Sequence, residues 1–330
     1  MINNIIKDER LEKAMDKDGY FVVKSFLTEQ QLQAFENLYA EYRPADEINK
    51  YGFYASTFSS NLPYRRKLKQ EIPDIFKPSL EKMFKDYKFI GANFILKIPG
   101  ENSRLEIHQD TSLIDEAKFT PINVWCPMVD VNVENGTLYL IPGSHRFFNN
   151  IRIPAIQYPY QDIFPHVLTH LMPISVKRGD AVIFNSSIIH YSPDNKTDKE
   201  RVVADTCLTH QDADIRVYHK EPDQTEDSLE IISQDDDFLE KFLYFRENIF
   251  ARPEGGTTIG YINYSHKKVS PAEFDALASR LTNKHAYSEY DVESKALRTA
   301  FHPTTGVGRL HQLAHRVKSL FKQQGNRRKA

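Results

Sequence analysis

The stretch PINVWCPMVDVNVENGTLYLIPGS, residues 121–144, decides the fold. Two runs rich in β-branched and aromatic residues flank Glu134-Asn135-Gly136. Asn-Gly accepts the positive φ angles of a two-residue type I′ turn, so the spacing predicts a β-hairpin here. The same texture continues outward in NFILKI (93–98), ISVKRGDAVIFNSSIIH (174–190) and RVVADTCLTH (201–210), each bounded by Gly, Pro, Asn or Asp. Strands returning at this density predict an antiparallel sandwich or barrel.

Helices flank this β region. DGYFVVKSFLTEQQLQAFENLYAEYR (18–43) reads as a short strand, Tyr20 to Val23, and then a helix with a Thr28–Gln31 capping box and Leu32, Phe35, Leu38 and Tyr39 at helical period. Residues 44–90 are mixed, with short helical patterns such as PSLEKMFKDY (78–87). Past residue 220 the pattern predicts helix again. SQDDDFLEKFLYFRENIF (233–250) starts at a Ser233 cap with three aspartates in the first turn, and SPAEFDALASRL (270–281) carries a Ser270–Glu273 capping box. Between them RPEGGTTIG (252–260) is a glycine-rich break, and Gly255 and Gly256 are candidate hinges of a lid. We expect a core domain over 1–225, an appended helical or lid segment over 226–300, and a tail over 301–330. After Glu293 there are only basic charged residues, nine of them, and Leu310, Leu313, Val317, Leu320 and Phe321 share one helical face. Such a tail suits weak docking on an anionic surface or partner, or self-packing.

At 330 residues, 40% apolar and 27% charged, the chain suits a soluble globular protein. A formal net charge of −2 offers no whole-molecule field for nucleic acid. No secretory signal or membrane-spanning run is visible. Cys126 and Cys207 form neither a CxxC nor a disulfide framework, and the reading is cytoplasmic, with both thiols buried as small apolar side chains.

The chemistry centres on His108-Gln109-Asp110. With 12 histidines and 23 aspartates in 330 residues, about one His-x-Asp pair arises by chance. A second copy, His210-Gln211-Asp212, is indeed present and reads as a strand end at the surface. On a strand, His108 and Asp110 project from one face and Gln109 from the other. His190 closes the apolar run AVIFNSSIIH and is the best third ligand. Two histidines and one carboxylate leave open positions on a metal, as in non-heme Fe(II) oxygenases. A turn at Ser192–Asn195 would bring Arg201 back beside His190 in a hairpin. A guanidinium there needs an anion: a protein carboxylate such as Asp205, or a dicarboxylate cosubstrate.

Taken in order, His108-Gln109-Asp110, Trp125, Glu134-Asn135-Gly136, Ile141-Pro142-Gly143-Ser144-His145, Arg178-Gly179-Asp180, His190-Tyr191-Ser192 and Arg201 resemble the phytanoyl-CoA dioxygenase family of Fe(II)/2-oxoglutarate oxygenases. The resemblance covers roughly residues 90–210, and DGYFVVKSFLTEQQL is also family-like. It implies a mostly β fold, a double-stranded β-helix of jelly-roll or cupin-like type, with helices on its flanks. It further implies Fe(II) held by His108, Asp110 and His190. 2-Oxoglutarate would be held by Arg201 and Ser192, with Gln109 and Trp125 near the cosubstrate or substrate, and O2 would complete the reaction. That reaction is hydroxylation of a small organic substrate, with 2-oxoglutarate converted to succinate and CO2. Asp110 sets this chain apart from halogenating relatives, which carry Gly or Ala there. Arg201 is followed by Val202-Val203, where many relatives carry a serine two residues after the arginine.

Other positions stay open. Trp125 suits core or pocket wall equally, His145 suits the site mouth or a structural turn, and Lys97 suits a solvated surface better than the cosubstrate pocket. A non-catalytic jelly-roll binding protein and a metal hydrolase without cosubstrate remain the alternatives.

Overall fold

From Tyr87 to His210 the chain keeps switching between two sheets, so most strands do not pair with the next one in sequence. In the computed structural model, which describes residues 3–48, 52–221, 223–241 and 248–280, the elements in chain order are α1 (Glu9–Asp18), β1 (Tyr20–Val23), α2 (Glu29–Tyr42), α3 (Ala45–Ile48), β2 (Phe53–Ala55), α4 (Leu62–Met83), β3 (Tyr87–Lys97), β4 (Leu105–His108), β5 (Ile122–Pro127), β6 (Leu138–Leu140), α5 (Phe164–Val167), β7 (Met172–Ile174), β8 (Ala181–Asn185), β9 (His190–Ser192), β10 (Arg201–His210), β11 (Arg216–His219), β12 (Ser228–Ser233), α6 (Phe238–Lys241), β13 (Thr257–Asn263) and α7 (Pro271–Ala278). A six-stranded sheet has the order β1-β8-β5-β10-β3-β2, and a four-stranded sheet the order β4-β9-β6-β7. All their pairings are antiparallel. Strands β3, β5, β8 and β10 lie in the larger sheet and β4, β6, β7 and β9 in the smaller one, which is the winding of a double-stranded β-helix.

The two-residue alternation of strands splits the core in two. Val202, Ala204 and Leu208 of β10 and Ile122, Val124 and Cys126 of β5 turn outward onto α2 and α4. Val203, Trp125, Val182 and Phe184 turn inward, against Leu138 and Ile174 of the smaller sheet. Helix α2 starts at the expected capping box, Thr28 accepting from the Gln31 amide and Gln31 from the Thr28 amide, and buries Leu32, Phe35 and Leu38. Residues 62–83, unassigned from sequence, form a 22-residue helix that buries Leu68, Ile72, Phe76 and Leu80.

Several expectations change. Glu134-Asn135-Gly136 does not close a hairpin, because β5 and β6 lie in different sheets. Only Gly136 takes a positive φ, +78°, whereas a type I′ turn needs it at both central residues. The Asn135 amide instead binds the Asp130 carbonyl and the Asn132 N–H, shaping a wider crossover. Likewise β9 and β10 do not form a hairpin, and Ser192–Asn195 carries the chain from the smaller sheet to the larger.

Past residue 220, where the pattern predicts helix, β12 and β13 complete a third antiparallel sheet with β11, and among the described residues helix is confined to α6 and α7. Ser233 ends β12, paired to Arg216 and Thr257, and caps no helix. Apolar residues at 229, 231 and 232 have the partners a strand needs, and the glycine-rich break supplies the third strand. This sheet straddles the boundary expected at 225/226. The Ser270–Glu273 capping box does start α7. Residues 242–247 and the tail from 281 to 330, with Leu310, Leu313, Val317, Leu320 and Phe321, lie outside the described residues.

Candidate metal centre and cosubstrate pocket

Strand pairing brings two of the expected ligands together, because His108 of β4 is the cross-strand partner of His190 of β9. Their rings lie 4.0 Å apart between centroids. Asp110 sits just past the end of β4, where its N–H donates to Ser186 O at 3.0 Å. Asp110 Oδ1 is 3.8 Å from His108 Nε2 and 3.7 Å from His190 Nε2. These three atoms lie within 4.8 Å of one another, a span over which small side-chain shifts bring all three to a metal at about 2.0–2.2 Å.

The supporting contacts orient the ligands. His108 Nδ1 meets Glu106 O at 2.7 Å and His190 Nδ1 meets Ile188 O at 2.9 Å. A carbonyl only accepts, so both rings carry their proton on Nδ1 and present the Nε2 lone pair inward. Burial, and then the neighbouring His190, push His108 down to about 3, so its imidazole is neutral at physiological pH. Asn123 Nδ2 donates to Asp110 Oδ2 at 2.5 Å, leaving Oδ1 toward the histidines. Buried Arg152 donates from Nε to Asp110 O at 2.8 Å and pairs through both terminal nitrogens with Glu116. Asn123 and Arg152 went unnoticed in the sequence, since a lone Asn or Arg carries no spacing signal.

On the larger sheet, interior-facing side chains form successive layers across β3, β10 and β5. Cys207 is opposite Asn123, Asp205 is flanked by Asn93 and Trp125, and Arg201 is opposite Lys97. Arg201 is 2% exposed. Among the described residues it has no ion pair or hydrogen-bond partner for its guanidinium, and its Nε is buried without one. The alternative pairing to Asp205 is not made among the described residues. Burial alone depresses Arg201 to about 9, and the guanidinium carbon sits 5.5 Å from the Trp125 ring centre. Among the described residues Asp205 accepts from Asn93 alone, at 3.1 Å, and burial together with the Asp110 charge raises it to about 8.

Other candidates are placed as follows. Trp125 is both core and wall, packed with Val203 and Val182 under Arg201. Lys97 is fully buried, which corrects the solvated reading. Its ammonium donates to the carbonyls of Ser103, Ser192 and Pro193, and burial depresses it well below the usual lysine range. Ser192 Oγ donates to Gly136 O at 2.8 Å, so its one hydroxyl proton is already committed. Gln109 points to the opposite side from the histidines, its amide on Phe148 O and Ser187 O, and its oxygen accepting from Tyr160. His145 packs on Gly19 at the end of α1, with Nε2 3.2 Å from Asp16 O, and serves that junction. His210 lies 3.7 Å from the exposed Asp212, with no third ligand beside them among the described residues.

Two histidines of the smaller sheet and an aspartate just past β4 thus present the donor set of a candidate 2-His-1-carboxylate metal site inside a jelly roll. Residues 15–203 match the phytanoyl-CoA dioxygenase (PhyH) family, and the chain belongs to it. Among curated relatives, it is similar to a phytanoyl-CoA dioxygenase domain-containing protein 1 of Danio rerio, 31% identical over 38% of this chain and 48% of that one. It is also similar to phytanoyl-CoA dioxygenase 1 of Oryza sativa subsp. japonica, 30% identical over 32% and 39%. Each match thus spans less than half of the relative's length. Among solved structures, SnoK, described as a non-heme α-ketoglutarate-dependent carbocyclase from nogalamycin biosynthesis, aligns with a TM-score of 0.48 and 18% identity over 64% of this chain and 87% of that one. No helix among the described residues is long and apolar enough to cross a membrane.

Proposed function

We propose that this protein is an Fe(II)/2-oxoglutarate-dependent dioxygenase that hydroxylates a small organic substrate. The observation that carries the reading is the buried guanidinium of Arg201, without an anion among the described residues, on the sheet facing the one that carries His108 and His190. A buried cation without a carboxylate is costly unless a ligand completes it. A dicarboxylate cosubstrate would supply that partner to Arg201.

His108, Asp110 and His190 would hold the iron, two neutral imidazoles and one anion leaving positions open for cosubstrate and O2. Bound Fe(II) would supply the activation of O2 that couples 2-oxoglutarate decarboxylation to substrate oxidation. Asn123 fixes which carboxylate oxygen faces the ion, and the carbonyls of Glu106 and Ile188 fix the imidazole tautomers. Arg201 orients the diacid through its planar fork, held over Trp125. Leu138, Leu140 and Val203 exclude water from the interior between the sheets. Asp205 and Asn93, paired at 3.1 Å, would present a polar pair to the interior beside the metal. Two free cysteines, Cys126 buried and Cys207 partly so, support a reducing, cytoplasmic setting.

The test is succinate release from 2-oxoglutarate under air with Fe(II), first without and then with a screen of small-molecule substrates. Wild-type chain is expected to release succinate and His108→Ala to release none. Affinity for 2-oxoglutarate that is indifferent to the triad, without succinate from any substrate, would instead describe a binding protein that kept the fold.

A further inference from the structure

A second trio of ligating side chains lies outside the pocket. His166 in α5 and His170 at the end of the following turn, Leu168–His170, are four residues apart, the spacing that puts two side chains on one helical face. Asp275 comes from α7, more than a hundred residues later. His166 Nε2 and His170 Nε2 each lie 2.8 Å from the same oxygen, Asp275 Oδ1. We propose that His166, His170 and Asp275 form a second metal site, for Zn(II) or a similar divalent transition ion, that fastens α7 to the jelly roll.

Packing holds the donors in place. The imidazoles are inclined at 61° with centroids 5.3 Å apart. Both lean on Phe274, which is buried and stacks on Phe148. The ring directions are therefore fixed by the core under α7. Side-chain exposures of 30% for His166, 20% for His170 and 52% for Asp275 leave the outer side open to an ion and to a completing water. Two imidazoles and one carboxylate suit zinc, nickel or copper and suit magnesium or calcium poorly. In tetrahedral geometry with bonds near 2.0–2.1 Å, neighbouring ligand atoms stand about 3.3 Å apart. The two 2.8 Å contacts need to open by about half an ångström to reach that spacing, and the three ligand atoms already lie within 4.8 Å of one another.

An ion here would act at a distance from the pocket. Tyr160, packed on Phe274, donates to Gln109 Oε1, and neighbouring Tyr158 donates to the Gln109 carbonyl. Gln109 lies between His108 and Asp110 in sequence. Fastening α7 thus stiffens the aromatic layer that backs those two residues.

The same geometry without metal is a hydrogen-bonded clasp, two N–H groups donating to one oxygen, and Asp275→Asn separates the two cases. An Asn oxygen still accepts both N–H donors but is a poor metal ligand. Metal-stripped full-length protein is titrated calorimetrically with Zn(II). Wild type is expected to bind two equivalents, His108→Ala/His190→Ala one, and Asp275→Asn one. Affinity at the second site should fall by at least the roughly 10- to 100-fold that even outer-shell losses cost. Zn(II) should raise the melting temperature of His108→Ala/His190→Ala but not after Asp275→Asn is added; should the double variant not fold, wild type against Asp275→Asn gives the same count. A wild-type titration with no equivalent that is lost on Asp275→Asn or on His166→Gln/His170→Gln overturns the proposal. Failure of the pocket triad shows separately, as loss of the equivalent sensitive to His108.

Discussion

Arg201 and Lys97 stand directly opposite each other in the β10–β3 ladder, two cations on one buried face, and the described residues satisfy one of them. The Lys97 ammonium has three carbonyl acceptors, whereas the Arg201 guanidinium has an aromatic face and no anion. Arg201→Met should therefore weaken 2-oxoglutarate binding by on the order of 100-fold or more, given about 1.5–3 kcal/mol per charge-assisted hydrogen bond. It should leave the melting temperature of the unliganded protein unchanged or raise it, since an uncompensated buried charge is removed. Anaerobic titration with 2-oxoglutarate and a thermal scan read both effects. Retained affinity with lost stability would mean that Arg201 is structural.

Lys97→Met should behave in the opposite way. The apolar stem is conserved, but the carbonyls of Ser103, Ser192 and Pro193 lose their shared donor. Leaving buried acceptors unmet costs about 1–3 kcal/mol each, so a loss of about 3 kcal/mol or more is expected in urea denaturation at unchanged m-value. Gly136→Ala should destabilise the same corner. Gly136 has φ +78°, and a Cβ there would sit 2.7 Å from Pro193 O and 2.8 Å from the Lys97 Cδ. An unaltered denaturation midpoint in both variants would contradict this account.

What the sequence discloses follows from which signals are local. Strand texture, two capping boxes and the order of the His-Gln-Asp, His and Arg landmarks are local, and the architecture and metal trio are legible from them. Sheet membership is not local, because a Glu-Asn-Gly turn reads alike whether the chain folds back or crosses to the facing sheet. Gly136 crosses because Val131 bridges to Val176 before β6 begins. Lys97 reads as a surface residue because its partners are backbone carbonyls, which have no sequence signature. Ser233 reads as a helix cap because three aspartates follow it, yet pairing with Arg216 and Thr257 carries it into β12.

Asp205 gives a pH prediction for the metal-free protein. Its ordinary value is 3.8, and burial and the Asp110 charge raise it to about 8 in the fold. An acid that binds its proton more tightly folded than unfolded contributes its full stability below the unfolded value. That contribution is lost as pH rises toward the folded value. Wild type should thus lose stability between about pH 4 and pH 8 relative to Asp205→Asn, by on the order of a few kcal/mol. Denaturation midpoints of both proteins across that range read the difference, and parallel profiles would show that Asp205 is not titrating as described.

Asn123 tests whether the carboxylate ligand is steered from behind. Its amide is the donor to Asp110 Oδ2, and it reaches that oxygen from β5, on the sheet opposite the two histidines. Asn123→Ala keeps all three ligands but frees the Asp110 side chain to rotate. Affinity for Fe(II), or for Co(II) as a redox-stable substitute, should fall about 10- to 100-fold, the usual cost of losing an outer-shell partner. Binding of 2-oxoglutarate should weaken only as far as metal occupancy does, because Arg201 and Trp125 are untouched. Saturating metal should then restore succinate release toward the wild-type rate. A variant that binds metal normally yet releases no succinate would place Asn123 on the substrate instead, and one with unchanged affinity and rate would show that Arg152 and the Ser186 carbonyl, which hold the Asp110 backbone, suffice to aim the ligand.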